Sequence, residues 1–231
     1  MRKEMAYALR RTVPVACGYI FLGMAFGVLL NEAGYGPVWA LCSSLFVYAG
    51  SMQFIMVSLL AAGAPIYTVA VTTFLVNARH IFYGIGFVEK FRKIGGWRYP
   101  FMALTVTDET YCVLCSMDAP TGMDWGDCAF YVSIFDQCYW VLGSLLGSLL
   151  GQALPVDLTG IDFSMTALFL VIFLEQWRGA KSHLPALLGL GCGAAFLLAL
   201  GPDNFLLPAL CTTVAVLLLA RPVLNREKEA A

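Results

Sequence analysis

Five ionisable residues lie inside stretches of sequence that are otherwise apolar: Arg79, His80, Asp108, Glu109 and Asp136. A charged side chain at the centre of a bilayer costs at least ~2.5 to 3.5 kcal/mol and needs a partner or water. Such residues mark ion, proton or substrate pathways in membrane proteins. The chemistry that this set predicts is proton transfer, or the binding of a charged solute, within a membrane.

Arg79 and Asp108 are predicted to lie at similar depths. Counted from Glu89 and Pro100, each is about 8 to 10 residues inside its run, or roughly 12 to 15 Å at the helical rise. An ion pair of Arg79 with Asp108 or Glu109 would offset the cost of burial. Adjacent helical residues point about 100° apart, so one carboxylate would remain to carry a proton.

The same residues also have structural explanations. A buried pair that involves Arg79 can be a structural lock, and this side chain is close enough to one membrane face to reach water. His80 alone is more often a hydrogen-bonded packing residue than a proton relay. Asp136 has no basic residue in its own run, and a wetted position at an external mouth explains it equally well.

The elements that position these residues are expected to be membrane helices. Hydrophobic residues make up 60% of the 231-residue chain and charged residues 13%, which the surface of a soluble domain does not tolerate. A spanning helix needs roughly 20 apolar residues. Eight hydrophobic segments are predicted, at 13–31, 37–62, 65–88, 100–117, 128–152, 163–175, 184–200 and 205–220. The expected fold is all-α: a polytopic integral membrane helix bundle that forms one transporter domain over residues 1–231.

Charged residues are sorted among the connections. Four connections carry basic clusters: Arg2, Lys3, Arg10 and Arg11; Lys90, Arg92, Lys93 and Arg98; Arg178 and Lys181; and Arg221, Arg226 and Lys228. The others carry acidic residues: Glu32; Asp118, Asp124 and Asp127; Asp157 and Asp162; and Asp203. Lys and Arg favour the cytoplasmic side. The basic clusters and both termini are therefore expected in the cytoplasm, and the acidic connections outside.

This sorting predicts that one early segment re-enters the membrane. Three full crossings between Arg11 and Lys90 would place the second basic cluster outside. Segment 37–62 is favoured as the re-entrant one, because Gly50-Ser51 weakens a helix near its middle. Each half of the segment would reach roughly 18 Å, which is mid-membrane.

Segment 128–152 is expected to be interrupted in the same way, at Asp136-Gln137. A complete crossing there would place the third basic cluster outside. The alternative is eight full spans with one or two basic connections outside, because the charge bias is statistical.

Two halves of the chain are expected to be related. A shift of 86 residues aligns 10–92 with 96–178 and places Gly50-Ser51 opposite Asp136-Gln137. Repeated halves with interrupted helices hold the substrate near the midplane in transporters. Residues 184–221 would form an additional C-terminal helical pair.

Glycine stripes predict close helix packing. They recur at spacings near four residues on three segments: Gly18, Gly23 and Gly27; Gly143, Gly147 and Gly151; and Gly189 and Gly193. Their partners can be helices of the same chain or of another subunit.

Four short motifs resemble, in order, the signatures of the AzlC family, the large subunit of bacterial branched-chain amino acid exporters. They are Pro14 with Gly18-Tyr19 and Gly23; Tyr48 to Phe54; Asn77 to His80 with Tyr83; and Thr107-Asp108-Glu109. The resemblance implies export of leucine, isoleucine, valine and sometimes methionine across the bacterial inner membrane, driven by the proton motive force. It also implies a small AzlD-type membrane subunit as partner. No cofactor, metal or enzymatic activity is expected.

An amino acid zwitterion needs an acceptor for its ammonium group and donors for its carboxylate, and interrupted helices supply free backbone groups of both kinds. The residues predicted to bind substrate are Tyr48, Gly50, Ser51, Gln53, Phe54, Asn77, Arg79, Tyr83, Asp136 and Gln137. Those predicted to couple protons are Asp108, Glu109 and His80. The alternatives are a passive channel for small solutes and an intramembrane protease built from Asp108 and Asp136.

Overall fold

The computed structural model of the protein describes residues 2–153, 182–201 and 208–219, with isolated positions between 163 and 178 and at 205. The side chains of Arg2, Arg79, Phe82 and Ile85 are outside this description. The described elements are all helices, as predicted. They are α1 (Arg2–Glu32), α2 (Pro37–Phe46), α3 (Gly50–Ala61), α4 (Ile66–Ile94), α5 (Arg98–Leu104), α6 (Asp108–Cys115), α7 (Trp125–Ala153), α8 (Leu184–Leu200) and α9 (Pro208–Leu219).

The chain divides into two compact units. The first comprises Met1–Gly63 and Asn77–Met165, and it contains every residue of the predicted site. The second comprises Ala64–Val76 and Thr166–Ala231. Within the second unit, Gly189 of α8 faces the side chain of Thr213 on α9.

Helices α1 and α7 form the centre of the first unit. Within the described part of the chain, these two helices are long and apolar enough to cross a membrane. They run parallel, because Gly23 faces Ser144 and Gly27 faces Ser148 one turn further along both helices. A stripe of small residues on each helix allows the two backbones to approach each other closely.

The glycine stripes predicted on these two segments are confirmed as a packing surface. A Cβ atom on Gly27 would lie 2.6 Å from the backbone nitrogen of Ser148, and one on Gly143 would lie 2.7 Å from the backbone oxygen of Ile20. Only hydrogen fits at such distances. Gly18 has nothing within 4 Å, so it does not take part.

Helix α2 enters the first unit at the end where α1 and α7 finish. A Cβ on Gly36, the residue before α2, would lie 3.2 Å from Gln152 Nε2 at the C-terminal end of α7. Near the end of α2, the backbone oxygen of Leu45 accepts a hydrogen bond of 3.1 Å from Gln137 Nε2 in the middle of α7. Helix α2 therefore runs antiparallel to α7 and ends about halfway along it.

Helix α3 returns to the same end. It begins at Gly50 against the Trp140 ring, and its next turn places Phe54 beside Phe26, with ring centroids 5.9 Å apart. Its last turn, at Ala61, lines a cavity together with Glu32 at the end of α1. Segment 37–61 thus begins and ends at one end of the α1–α7 pair, as predicted for a re-entrant hairpin.

A second hairpin enters from the opposite end. Arg98 at the start of α5 pairs with Asp127 at the start of α7. Directly after α6, the backbone oxygen of Ser116 accepts a hydrogen bond of 2.7 Å from Arg11 of α1. Helices α5 and α6 have 7 and 8 residues, about 10 to 12 Å each, which is too short to cross a bilayer.

This second hairpin corrects two predictions. Segment 100–117 is predicted to span the membrane, but the chain turns back at residues 105–107. Segment 128–152 is predicted to break at Asp136-Gln137, but it lies in the uninterrupted helix α7. The physical reason is local. Thr107 caps a new helix with its side chain, while the Asp136 carboxylate accepts a hydrogen bond from another helix and leaves its own backbone intact.

The side predicted for one acidic connection is also wrong. Asp127 pairs with Arg98, and Lys90 lies 4.9 Å from the Trp125 ring centroid, so this acidic connection and the second basic cluster share one end. Acidic residues contribute little to membrane orientation. The first two basic clusters do lie at one end, as predicted, because Arg11 also contacts this region.

Several predictions stay untested. Lys181, the basic residues at 221–228, and Asp157, Asp162 and Asp203 lie outside the described residues. The internal repeat of 10–92 and 96–178 also stays a prediction. Helix α4 continues without a break through Asn77 to His80.

Candidate functional site

The tip of the first hairpin is a strained and buried turn. Tyr48, between α2 and α3, has a φ of 38°, in the left-handed region that costs a residue with a Cβ atom roughly 1 to 2 kcal/mol. Tyr48 and Ala49 are each 6% exposed. Ala49 gives α3 no side-chain cap, so the first amide groups of α3 face the site with the positive end of the helix dipole.

The tip of the second hairpin is a capped helix start. The Thr107 side chain accepts a hydrogen bond of 3.3 Å from the Thr110 amide. Asp108 and Glu109 occupy the first turn of α6, where negative charge is stabilised by the helix dipole. Tyr48 lies within electrostatic range of Glu109 and Asp136, so the two hairpin tips converge beside the middle of α7.

A chain of hydrogen bonds joins the two carboxyl groups at this point. Glu109 Oε2 accepts a bond of 2.7 Å from Tyr19 on α1, and the Tyr19 hydroxyl lies 2.5 Å from Thr107 Oγ1. Thr107 Oγ1 lies 3.0 Å from Thr110 Oγ1. Thr110 donates a bond of 2.8 Å to Asp136 Oδ2. The five side chains, from three helices and one hairpin tip, form one connected polar cluster.

Two polar atoms, one in this cluster and one beside it, have no hydrogen-bond partner among the described residues. They are Asp136 Oδ1 and the Tyr48 hydroxyl oxygen, and both are buried. Asp136 itself has no exposed surface. A buried polar atom without a partner costs about 1 to 3 kcal/mol, and such atoms in a transporter are candidates for contact with a solute.

Gln53 connects the first hairpin to α7 from a fully buried position. Its Oε1 accepts a bond of 2.9 Å from Trp140 Nε1, and its Nε2 lies 3.4 Å from the hydroxyls of Ser43 and Ser44. Ser44 in turn bonds to Ser144 Oγ at 2.8 Å. Gln53 therefore holds the hairpin tip in place.

Phe54 and Gln137, also predicted to bind substrate, make structural contacts as well. Phe54 is 1% exposed and packs on Phe26. Gln137 binds the backbone oxygen of Leu45 at the end of α2. Ser51 is buried in the first turn of α3, next to Gly50.

A second polar group surrounds Asp108. Its Oδ1 accepts a bond of 2.6 Å from the Tyr83 hydroxyl, and the Tyr83 ring stacks on Tyr111 at 4.7 Å. His80 meets the edge of Tyr83 at 5.8 Å, and its Nδ1 lies 3.2 Å from the Asn77 backbone oxygen. Asp108 and Glu109 thus face different partners, as the sequence predicted.

The pairing of Arg79 with Asp108 or Glu109 stays a prediction, since the Arg79 side chain is outside the described part of the structure. The Asn77 side-chain oxygen is buried and has no hydrogen-bond partner among the described residues. Over the same residues, no group of three or more His, Cys, Asp or Glu side chains is placed to hold a metal ion.

The site contains residues that sequence reasoning did not select. They are Tyr19, Thr107, Thr110 and Trp140. A threonine three residues before another, directly ahead of two acidic residues, is a helix-start pattern and could have identified Thr107. Tyr19 belongs to the first of the four motifs, but nothing local indicates its role, because its partners are 88 and 90 residues away in sequence.

Long apolar helices that pack beside two hairpins of short helices, with a buried carboxylate between them, are typical of membrane transport proteins. The chain belongs to the AzlC family: the family model described as "AzlC protein" matches residues 14–154. A membrane protein of Haemophilus influenzae is 41% identical over 199 residues, which cover 86% of this chain and 82% of the relative.

Two further relatives carry informative names. The "Branched-chain amino acid transport protein AzlC" of Bacillus subtilis is 34% identical over 215 residues, 93% of this chain and 84% of the relative. The "Inner membrane protein YgaZ" of Escherichia coli is 24% identical over 177 residues, 74% of this chain and 72% of the relative. No solved structure matches the chain.

Proposed function

We propose that this chain exports branched-chain amino acids (leucine, isoleucine and valine, and in addition methionine) as the large subunit of a two-component exporter. Export is driven by the proton motive force across the bacterial inner membrane, with both termini in the cytoplasm and an AzlD-type protein as the small subunit. The name of the Bacillus subtilis relative supports the substrate class.

The observation that carries the proposal is the convergence of the two hairpin tips on the buried Asp136. A zwitterion needs opposite charges at a short separation. The start of α3 at Gly50, which no side chain caps, presents amide donors to a carboxylate. Asp136 Oδ1 and the Tyr48 hydroxyl are buried and available to an ammonium group. Charged groups buried without water interact strongly, so this pairing favours zwitterions over neutral solutes.

The substrate side chain is proposed to face apolar surface next to α3. A cavity of about 320 Å³ lies beside Phe54, between α3 and the end of α1, and its lining is mostly apolar, with Glu32 and Ser58 as its polar members. The apolar part of the lining suits an aliphatic side chain. A single methylene changes binding by only about 1 to 3 kcal/mol, so several aliphatic amino acids are expected to share the site.

Proton coupling is proposed to use the carboxylates of the second hairpin. Glu109 is the end of the polar cluster that Tyr19 contacts. Asp108 accepts a hydrogen bond from Tyr83, and His80 lies against the same ring. Arg79 and Asn77 are proposed to orient the substrate carboxylate from α4.

The test is efflux of labelled leucine from preloaded proteoliposomes that contain the chain with and without an AzlD-type subunit. We expect leucine efflux that saturates, that is reduced by valine and not by glutamate, and that falls at least tenfold in Asp136→Asn. Asp127→Asn is the matched control, because Asp127 is a partly exposed carboxylate outside the cluster. Absence of leucine movement with the partner present would refute the assignment, and non-saturating flux would favour a channel.

A further inference from the structure

The hydrogen-bond chain between Glu109 and Asp136 contains one fewer hydrogen than it has contacts when both carboxyl groups are ionised. Five oxygens stand in line, and the four distances between neighbours are 2.7, 2.5, 3.0 and 2.8 Å. Each is a hydrogen-bond distance. Each such contact needs one hydrogen, so four are required.

Three hydroxyl groups supply only three of these hydrogens. A serine, threonine or tyrosine hydroxyl donates once. When both carboxyl groups are ionised, Tyr19 donates to Glu109 and Thr110 to Asp136, and Thr107 can donate to only one of its two neighbours. Either its contact of 2.5 Å with Tyr19 or its contact of 3.0 Å with Thr110 then has no hydrogen. Two oxygens whose lone pairs face each other at hydrogen-bond distance repel, which disfavours both arrangements in a buried site.

One added proton completes the chain. If Asp136 carries it, Asp136 donates to Thr110, Thr110 to Thr107, Thr107 to Tyr19, and Tyr19 to Glu109. If Glu109 carries it, every donor reverses its direction. The two arrangements contain the same atoms, and they interconvert when each hydrogen moves to the next oxygen.

We infer that this site stores a single proton, shared between Glu109 and Asp136 through the hydroxyl groups of Tyr19, Thr107 and Thr110. The second carboxyl group stays ionised, and a second proton has no position in the chain. Its role in export rests on the proposed function, whereas the proton count itself depends only on these five side chains.

Other ionisable groups surround the chain on each side. Tyr48 faces it from the first hairpin. On α6, Asp108 points instead to Tyr83 of α4, and His80 packs behind Tyr83. The Arg79 side chain is outside the described residues. Tyr48 interacts with the Tyr19 and Thr110 hydroxyls from the side, while the four contacts along the chain are made by the five side chains themselves.

A consequence follows for coupling. An ammonium group bound at Asp136 Oδ1 favours the ionised form of Asp136, which moves the shared proton to Glu109 or out of the site. Substrate and proton therefore oppose each other at Asp136. Exchange of one proton for one amino acid is the coupling that this arrangement supports.

The test is infrared spectroscopy of the full-length protein in lipid nanodiscs at neutral pH, with the C=O stretch of protonated carboxyl groups as the readout. We expect one protonated carboxyl group per chain in the wild type. Asp136→Asn and Glu109→Gln should each remove the whole signal, since either amide supplies the missing hydrogen and leaves the opposite carboxyl group ionised. Thr107→Val should remove it too, and Thr107→Ser should keep it.

Three results would overturn the inference. They are no protonated carboxyl signal in the wild type, a full signal in either carboxyl variant, or the same signal in Thr107→Val as in Thr107→Ser. Glu109→Gln and Asp136→Asn test the chain from opposite ends, so one folded variant suffices. Because no transport is measured, missing leucine efflux would refute the proposed function and leave the proton count standing.

Discussion

Substitution of Gly27 by alanine is predicted to destabilise the protein by about 2 kcal/mol. The new Cβ would lie 2.6 Å from the backbone nitrogen of Ser148 and in contact with the carbonyl of Ser144. Both are backbone atoms of α7, so no side chain can rotate away and the two helices must separate. Overpacking of this kind costs about 1 to 3 kcal/mol. We take the upper end and subtract about 1 kcal/mol for the better helix propensity of alanine.

Gly18→Ala is the matched control on the same helix. Nothing lies within 4 Å of its Cβ position, so the variant keeps the gain in helix propensity of about 1 kcal/mol and pays no packing cost. The two alanine variants should therefore differ by about 3 kcal/mol.

The assay is unfolding of the purified protein in mixed micelles with increasing SDS, followed by circular dichroism. The midpoint of Gly27→Ala should fall, and that of Gly18→Ala should stay or rise. Equal midpoints for the two variants would refute the close parallel packing of α1 and α7.

The remaining predictions concern the first hairpin, the ion pair and the second hairpin. Trp140→Phe leaves the buried Oε1 of Gln53 without its donor and should cost about 1 to 3 kcal/mol in the same SDS titration. Asp127→Asn removes one half of an ion pair whose side chains are 36% and 33% exposed, and it should change stability by less than about 1 kcal/mol. In a cysteine-free background, Gly95→Cys and Asp124→Cys should react with an impermeant maleimide from the same side of the membrane, and labelling from opposite sides would contradict the second hairpin.

The first hairpin could be predicted from sequence because its signals are local. Gly50-Ser51 weakens a helix, and the basic residues on either side allow only an even number of crossings. Both signals were read correctly. The strained conformation of Tyr48 could not be read, since φ at a tyrosine depends on the packing that buries it.

The second hairpin was assigned to the wrong segment because polar residues in an apolar run have two possible explanations. Asp136 has the polarity expected of a break, yet its carboxylate accepts a hydrogen bond from Thr110 of another helix. Thr107 looked like part of a helix, yet its side chain starts a new one. For Asp136 the explanation depends on a contact with a residue 26 positions away in sequence, which no local pattern encodes. The Thr107 cap is local, and its helix-start pattern favours the break that the structure has.

The candidate site residues also divide into those that the sequence indicates and those that only the folded structure shows. Asp108, Glu109 and Asp136 were selected because charge in a membrane is costly, a general rule that needs no structure. The three hydroxyl groups that connect Glu109 to Asp136 cost less to bury than a charge does, so their positions in the sequence do not stand out. Gln53 was selected for its polarity beside the break, and its contacts indicate a positioning role.

The most direct test of the account is leucine efflux from proteoliposomes, with the AzlD-type subunit present, compared with and without an imposed pH gradient, acidic outside. The account predicts that the gradient accelerates efflux in the wild type. In Glu109→Gln the gradient should have no effect, while exchange of internal for external leucine continues, because Asp136 and the start of α3 remain. Gradient-accelerated efflux of wild-type magnitude in Glu109→Gln would contradict the claim that the converging hairpins exchange a proton for an amino acid.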